Sequence, residues 1–229
     1  MKWFFYFNTY ISHYLKTLTM TKLITVFILL TTVLLNSSAQ SFEGIVVYQN
    51  SFKSKLPNVP DQQFAAMLGT TLEYSIKGGN YRTTTNGNFI FWQVYINTDN
   101  KLYSKVATSE AILWNDGAII NDEILKSEVN KAVVDILGYS CDELILTCKS
   151  GVQKYYYSTK LKVDASLFEK HKYQNWNEVM AKTNSVPLKM IVDNDQFTLE
   201  SVATEVKPVK LDDKLFTLPA DSKLEKSPF

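Results

Sequence analysis

Apolar and polar residues alternate with a period of two along most of the chain after residue 41. This alternation is the pattern of short β-strands that have one buried face. Residues 72–77 show it clearly, with three apolar side chains on one face and polar side chains on the other. A Gly-Gly pair at residues 78–79 and an Asn-Gly pair at residues 86–87 follow, and both tolerate the positive φ angles of tight hairpins. The pattern predicts an antiparallel meander.

Further runs of strand character extend the meander over nearly the whole chain. They cover residues 44–51, 89–96, 101–106, 111–114, 141–148, 152–158, 188–192 and 197–206. Residues 89–96 are almost continuously apolar, which indicates a strand covered on both faces or one edge of a lined cavity. In residues 197–206 the apolar positions change parity, and this change predicts a β-bulge near Ser201.

Two short segments, residues 60–69 and 175–182, have helical spacing instead. In the first, Phe64, Met67 and Leu68 recur at i, i+3 and i+4, and the apolar residues of the second repeat this spacing. Each helix therefore has one narrow apolar face. We expect each to lie on the sheet and cover it, with Phe64, Met67 and Leu68 facing inward.

A secretory signal is predicted ahead of the strands. Residues 20–22 give a short basic start, residues 23–35 form an apolar core, and Ser37 and Ala39 supply the small residues of a cleavage site. The core is shorter than the roughly 18 apolar residues that a membrane span needs, so a cleaved signal is favoured over an anchor. We expect residues 1–39 to be an upstream extension plus the cleaved signal peptide, and residues 40–229 to be one exported domain.

The charge balance limits the choice of partner. The chain has 24 Lys and Arg against 23 Asp and Glu. Nucleic acids and anionic membrane surfaces both require a dense basic surface, which this composition does not provide. We therefore expect no nucleic-acid partner, and no stable membrane span once the signal is cleaved.

Cys141 and Cys148 are predicted to be buried free thiols. The residues between them have strand character, and seven extended steps of about 3.3 Å separate their Cα atoms by roughly 23 Å. A disulfide requires Cα atoms within about 7 Å of each other. An odd separation also directs the two side chains to opposite faces of a strand.

No catalytic or metal-binding pattern emerges from the sequence. His171 is the one histidine after residue 40, and its charged neighbours predict a solvated loop. A serine or cysteine nucleophile would have no other histidine as its base. The acidic residues at 193–195 and 212–213 lack the spacing of a calcium loop, and two cysteines with one remote histidine do not make a zinc site. We expect no enzyme, no catalytic residue, no metal and no cofactor.

An aromatic and apolar surplus remains as the candidate binding chemistry. A curved sheet with a helical cover can enclose an apolar pocket, although the same residues could equally fill a core. The side chains predicted to line the pocket are Phe64, Met67, Leu68, Phe89, Phe91, Trp92, Tyr95 and Trp176.

Five short motifs, in a fixed order, carry a family resemblance. They are EGIVVY at residues 43–48, EYSIKG at 73–78 followed by Arg82, ILGYSC at 136–141, VPLK at 186–189 and LDDKLFTLP at 211–219. Together they resemble an uncharacterised family of exported bacterial domains that is similar to the periplasmic lipoprotein-carrier and lipoprotein-sorting (LolA-like) proteins of Gram-negative cells. The resemblance implies a mainly β (α+β) domain: a strongly curved antiparallel sheet, or half-barrel, whose concave side is covered by short helices. In the carriers the cavity receives acyl chains.

These observations support three functional hypotheses. The first is an exported, non-enzymatic binding protein with an apolar cavity for a lipid or acyl chain, in the periplasm or on the extracellular side of a Gram-negative-type envelope. The second is a structural or interaction module of the envelope, with a filled core and with strand edges or loops that bind another envelope protein. The third is an enzyme of unrecognised type that uses carboxylates such as Asp142 or Glu143.

Overall fold

The computed structural model describes residues 41–228, so the predicted signal and its cleavage site lie outside the described residues. Strands dominate this part of the chain, as the sequence predicts. They are β1 (Gly44–Ser54), β2 (Thr71–Lys77), β3 (Asn80–Thr85), β4 (Ile90–Ile96), β5 (Lys101–Val106), β6 (Ile112–Asp116), β7 (Ile124–Ile136), β8 (Tyr139–Cys148), β9 (Gly151–Lys162), β10 (Ser185–Asn194), β11 (Phe197–Pro208) and β12 (Leu224–Lys226). The helices are α1 (Asp61–Leu68) and α2 (Trp176–Thr183), with short 3-10 turns at Ala165–Phe168, Tyr173–Asn175 and Asp213–Phe216.

All twelve strands form one open, curved sheet, in the order β12-β6-β5-β4-β3-β2-β1-β11-β10-β9-β8-β7. Neighbouring strands are antiparallel except for the β12–β6 pair, which is parallel. Sequential hairpins build both halves of the sheet, and the β1–β11 pair joins the first strand to the eleventh. The predicted class, a mainly β domain with a curved antiparallel sheet and two short helices, is confirmed.

Most of the differences from the predicted strands lie at the edges of the sheet. The pattern does not predict β7, whose side chains are exposed at nearly every position and so lack apolar alternation, or β12, which has three exposed residues. The bulge predicted near Ser201 occurs at Thr204, where the β1–β11 register shifts. Both helices begin and end within one residue of the predicted limits.

The curvature of the sheet is evident from Trp176, the first residue of α2. Its ring centroid lies 6.5 Å from that of Tyr74 in β2 and 6.3 Å from that of Tyr155 in β9, so these two rings are at most about 13 Å apart. Four strand spacings separate β2 from β9, which in a flat sheet would be about 19 Å. The sheet therefore curves around Trp176 and has a concave face.

Each face of β4 packs against a different part of the chain. Tyr95 faces the concave side, where it stacks on Phe168 and His171. Val94, its neighbour in the strand, points to the opposite face and packs with Phe216 of the C-terminal segment. Both are fully buried, so β4 is covered on both faces, one of the two alternatives that its apolar sequence indicated.

Helix α1 lies at the end of the β1–β11 pair. Phe64 is buried there, with its ring centroid 4.8 Å from that of Phe197. The carbonyl oxygens of Ala66 and Met67 accept hydrogen bonds from the amides of Asn88 and Phe89, at 2.9 and 3.0 Å. These bonds tie the C-terminal turn of α1 to the β3–β4 connection, so α1 is an integral part of the fold.

Cys141 and Cys148 are both buried and unpaired, which confirms the predicted free thiols. They belong to two different core clusters: Cys141 packs with residues such as Leu161 and Val186, and Cys148 packs with Leu146 and Val179 of α2. Burial raises the pKa of the Cys148 thiol to about 11, so this thiol is protonated at neutral pH.

The contact between α1 and the β3–β4 connection gives the first prediction. A Cβ atom at Gly87 would lie 2.5 Å from the Met67 carbonyl oxygen and 2.7 Å from the Gly69 amide nitrogen, and these backbone atoms have little freedom to move. We expect Gly87→Ala to lower the free energy of unfolding by about 1–3 kcal/mol, measured by chemical denaturation. Asn88→Ala, at the exposed neighbouring position, is the matched control and should be nearly neutral. Equal stabilities of the two variants would contradict this packing.

Candidate functional site

Six rings meet on the concave face beneath α2, and we call them the aromatic cluster. They are Tyr74 of β2, Tyr81 of β3, Tyr95 of β4, Tyr155 of β9, His171, and Trp176 of α2. Tyr81 is central: its ring centroid lies 5.3 Å from that of Tyr74, 5.5 Å from Tyr95, 5.8 Å from His171 and 5.9 Å from Trp176. The strand register explains part of this arrangement, because Tyr81 and Tyr95 are direct cross-strand partners.

His171 is buried in this cluster, which corrects the prediction of a solvated loop. Its side chain is 1% exposed and stacks on Tyr95, with 3.9 Å between ring centroids and 8° between ring planes. Its backbone is held on both sides, since its amide donates to Phe168 and its carbonyl oxygen accepts from Asn177. The charged neighbours stay exposed while the 3-10 turns direct the imidazole inward. Such short turns have no periodicity that the sequence pattern could reveal.

The aromatic cluster is electrically neutral at neutral pH. Burial lowers the pKa of His171 from the usual 6.5 to about 3, so the imidazole is uncharged. Burial also raises the pKa of Tyr95 to about 12, and it raises the pKa values of Tyr74 and Tyr81. Among the ion pairs and cation–π contacts of residues 41–228, none involves a ring of the cluster.

Three buried polar atoms of the cluster have no hydrogen-bond partner among the described residues. They are the Tyr74 hydroxyl, His171 Nδ1 and Trp176 Nε1. All three belong to rings that contact Tyr81. Buried polar groups in native proteins are nearly always paired, so a concentration of three in one place calls for an explanation.

Residues 163–184, which we call the cover segment, hold α2 over the cluster. The Val163 amide donates to the Asn184 carbonyl oxygen at 2.9 Å, which closes the base of the segment. Left-handed backbone conformations flank α2 at Gln174, Asn175 and Asn184, with φ of 55°, 59° and 48°. A non-glycine residue in this region costs roughly 1–2 kcal/mol, less for Asn, and such strain often marks functional segments.

The structure disperses the eight side chains that were predicted to line one pocket. Tyr95 and Trp176 both belong to the aromatic cluster. Trp92 points to the opposite face of the sheet, where the Arg82 guanidinium lies 4.6 Å from its ring centroid. Four more lie at α1 or the β3–β4 connection, where Phe64 is buried and Met67, Leu68 and Phe89 are half-buried. Phe91 lies in β4, 40% exposed at a bulge.

This dispersal corrects the expectation of a single pocket lined by all eight residues. Side chains along β4 alternate between the two faces of the sheet. Trp92 and Tyr95 are separated by an odd number of residues, three, so they face opposite sides and cannot line the same site. The sequence reasoning also missed four members of the cluster, Tyr74, Tyr81, Tyr155 and His171. The register of the hairpins across residues 78–79 and 97–100 could have identified Tyr81, which pairs directly with Tyr95.

The carboxylates suggested for an enzyme are engaged elsewhere, at the β7–β8 pair. Burial alone would raise the pKa of Glu143, but hydrogen bonds from Asn130 and Tyr156 together with Lys154 lower it. Asp142 binds the Lys131 ammonium at 2.7 Å and accepts a hydrogen bond from the Ala132 amide. Within residues 41–228, no group of three His, Cys, Asp or Glu side chains could hold a metal ion.

The family of the chain is shown by residues 92–222, which match the domain of unknown function DUF4412. The match covers more than half of the chain, so the chain belongs to this family, and the predicted membership of an uncharacterised family is confirmed. The matched residues include Tyr95, Tyr155, His171 and Trp176 of the aromatic cluster. No curated protein matches the chain.

Solved structures show a distant likeness. PNGF-II has a TM-score of 0.44 and 16% sequence identity, covering 82% of this chain and 32% of the PNGF-II chain, so this chain spans about a third of its length. A LolA superfamily protein, NE2245 from Nitrosomonas europaea, has a TM-score of 0.36 and 11% identity, covering 78% of this chain and 91% of that one. Within the described part of this chain, no helix has the length and apolar character needed to cross a membrane.

The buried imidazole gives the second prediction. An unfolded chain takes up a proton at His171 near pH 6.5, whereas the folded protein does so only near pH 3, so stability falls as the pH is lowered through this range. We expect the difference in unfolding free energy between the wild type and His171→Gln to shrink by about 2 kcal/mol from pH 6 to pH 4. The reason is that only the wild type has an imidazole whose protonation favours the unfolded chain. Urea denaturation at both pH values measures the difference. Parallel pH profiles for the two proteins would show that His171 is not buried as a neutral ring.

Proposed function

We propose that the protein is an exported, non-enzymatic binding protein that takes an apolar ligand of the lipid or acyl-chain class on the concave face of its sheet, beneath α2. Its proposed location is the periplasm or the extracellular side of the envelope. The observation that carries this proposal is the aromatic cluster, a neutral set of rings with three unpartnered polar atoms under a helical cover. Ligand sites of small molecules typically combine apolar walls with a few convergent polar groups.

The surroundings of the cluster suit an apolar ligand. Half-buried apolar side chains pack against the core beside it, among them Leu72, Tyr173 and Met190. Trp176 is itself only partly buried, although its Nε1 atom is shielded from solvent. An acyl chain that lay against the exposed part of the Trp176 ring and these side chains would therefore bury further apolar area.

The cover segment offers a route for entry. Its base is closed by the hydrogen bond between Val163 and Asn184, and left-handed residues stand at both ends of α2. Residues at element ends that hold unusual φ values are the positions where a hinge can absorb a rotation. Helix α1, which the sequence offered as a second cover, is tied to the β3–β4 connection and lies apart from the cluster.

The non-enzymatic part of the proposal rests on what the cluster contains. Its one titratable base, His171, is neutral and hydrogen-bonded to the Tyr81 hydroxyl at 2.8 Å. General acid–base catalysis favours a pKa near the working pH, and the pKa of about 3 at His171 is far from that range. Asp142 and Glu143 are held by partners at the β7–β8 pair.

Contact quenching by a brominated acyl chain tests the proposal. Bromine quenches tryptophan fluorescence only at close range, so a monoacylglycerol carrying bromine on its chain should quench Trp176 when it binds to the full-length protein. We expect Trp176→Phe to abolish most of the quenching. Trp92→Phe and Trp114→Phe are the matched controls, because both rings pack with Val94 and Phe216 on the opposite face of the sheet. Both variants should keep the quenching. Quenching that survives in Trp176→Phe, or none in the wild type, would contradict the proposed site.

A second candidate function, an interaction module of the envelope, is supported by the free edge at β7. This strand has 13 residues and lies at the end of the sheet. It exposes large apolar side chains, including Leu125 at 60% and Val129 at 42%. A long exposed edge with apolar residues can pair with a strand of another protein, although the bulges and lysines of β7 oppose indiscriminate pairing.

Site-specific photocrosslinking tests this second candidate. A photoreactive residue in place of Val129 should give one discrete adduct with an envelope protein in intact cells. The same residue in place of Glu205, which is exposed on the interior strand β11, is the control and should give none. Identical results at the two positions would remove the support for an edge-mediated interaction.

A further inference from the structure

We propose that the aromatic cluster recognises the ester carbonyl of a neutral acyl lipid, with the Tyr74 hydroxyl, His171 Nδ1 and Trp176 Nε1 as hydrogen-bond donors. This inference rests on the proposed function, since it assigns a ligand class and a polar anchor to the same concave site. An acyl chain alone would leave these three atoms unpaired. An ester provides a carbonyl oxygen that accepts two hydrogen bonds, and a second oxygen beside it.

All three atoms can act as donors. The Trp176 indole N–H can only donate, and the Tyr74 hydroxyl can donate or accept. The tautomer of His171 follows from its contact with Tyr81, 2.8 Å from the Tyr81 oxygen to Nε2. We assign the Tyr81 hydroxyl as the donor to Nε2, because the opposite direction would leave the Tyr81 O–H as a further buried donor without an acceptor among residues 41–228. The proton of the neutral ring then lies on Nδ1. The site therefore offers donors and needs an acceptor-rich group.

The lack of partners is confined to three rings of the cluster among the described residues. Other buried tyrosine hydroxyls find acceptors in the protein: Tyr48 donates to the Pro187 carbonyl oxygen, Tyr95 to Asn100, and Tyr155 to Gln153. Within residues 41–228, Tyr74 differs from these three because its hydroxyl has no acceptor. The fold thus satisfies buried hydroxyls where it can, and the unpaired atoms concentrate in the rings around Tyr81.

The neutrality of the site selects among acceptor-rich groups. Carboxylates and phosphates are anions, and a buried anion needs a cation beside it. None of the ion pairs or cation–π contacts of the described residues reaches a ring of the cluster. A neutral ester can accept three hydrogen bonds, two at its carbonyl oxygen and one at the second oxygen, without placing an unpaired charge in the interior. Free fatty acids and phosphate headgroups are therefore the disfavoured ligands.

The test compares two lipids that differ at one group. Monodecanoylglycerol has the ester, and its decyl ether counterpart has the same headgroup and chain without the carbonyl. Titration calorimetry of the full-length protein below the micellar concentration should show about tenfold tighter binding of the ester, which corresponds to one or two net hydrogen bonds. Decanoate should bind more weakly than the ester at pH 7.

Two variants each remove a single donor, and Tyr74→Phe does so with little change of shape. Tyr74→Phe deletes only the unpaired hydroxyl, and Trp176→Phe deletes the indole N–H, so each should lower the ester-to-ether ratio by about threefold or more. Tyr139→Phe is the matched control: this half-buried tyrosine packs against the same core but has no ring contact with the cluster, and the ratio should not change. Tyr74→Phe leaves the packing of Trp176 intact, so it remains informative if Trp176→Phe folds poorly.

The outcomes separate this inference from the proposed function. If neither ester nor ether binds, the proposed function fails. If both bind with equal affinity and Tyr74→Phe changes neither, an apolar site exists but the carbonyl anchor is wrong, and ordered water is the partner of the three donors. If decanoate binds most tightly, the site selects an anion and the argument from neutrality is overturned.

Discussion

The contact of one tryptophan with both halves of the sheet is the constraint on which the concave site depends. Trp176 touches Tyr74 and Tyr81 on one side and Tyr155 on the other, and these rings come from strands that are four or five positions apart in the sheet. The rings can meet only because the sheet curves strongly toward α2. The hydrogen bond between the Val163 amide and the Asn184 carbonyl oxygen joins the end of β9 to the start of β10. The curved sheet therefore also fixes both ends of the cover segment.

Curvature has an electrostatic consequence. It buries tyrosines and an imidazole together, and this burial keeps His171 neutral and the tyrosines protonated. A neutral interior with three unpaired polar atoms differs from both an ordinary core and a catalytic centre. An ordinary core pairs its polar atoms, and a catalytic centre usually holds groups whose pKa lies near the working pH. The arrangement fits a site for a neutral ligand that supplies oxygen acceptors.

The alternation pattern predicted most of the architecture because the interior strands bury one or both faces. It predicted the α1 and α2 helices, most of the interior strands and the bulge in β11. The observed bulge lies only a few residues from its predicted position. It failed at β7 and β12, where exposure removes the signal. It also failed for the site, since Trp92 and Tyr95 are three residues apart in one strand and so face opposite ways, and His171 enters the core from turns without periodicity. Non-local curvature, rather than local pattern, brings Tyr74, Tyr81 and Trp176 together.

The central claim is that the concave aromatic cluster holds a neutral acyl lipid. Native mass spectrometry tests this claim most directly. The protein is expressed in a host cell with a Gram-negative-type envelope, exported there, and purified without added lipid. The account predicts a bound species that is released on activation and whose mass and fragments identify an uncharged ester of a fatty acid. A population that carries only bare protein mass, or only an anionic lipid, would contradict it.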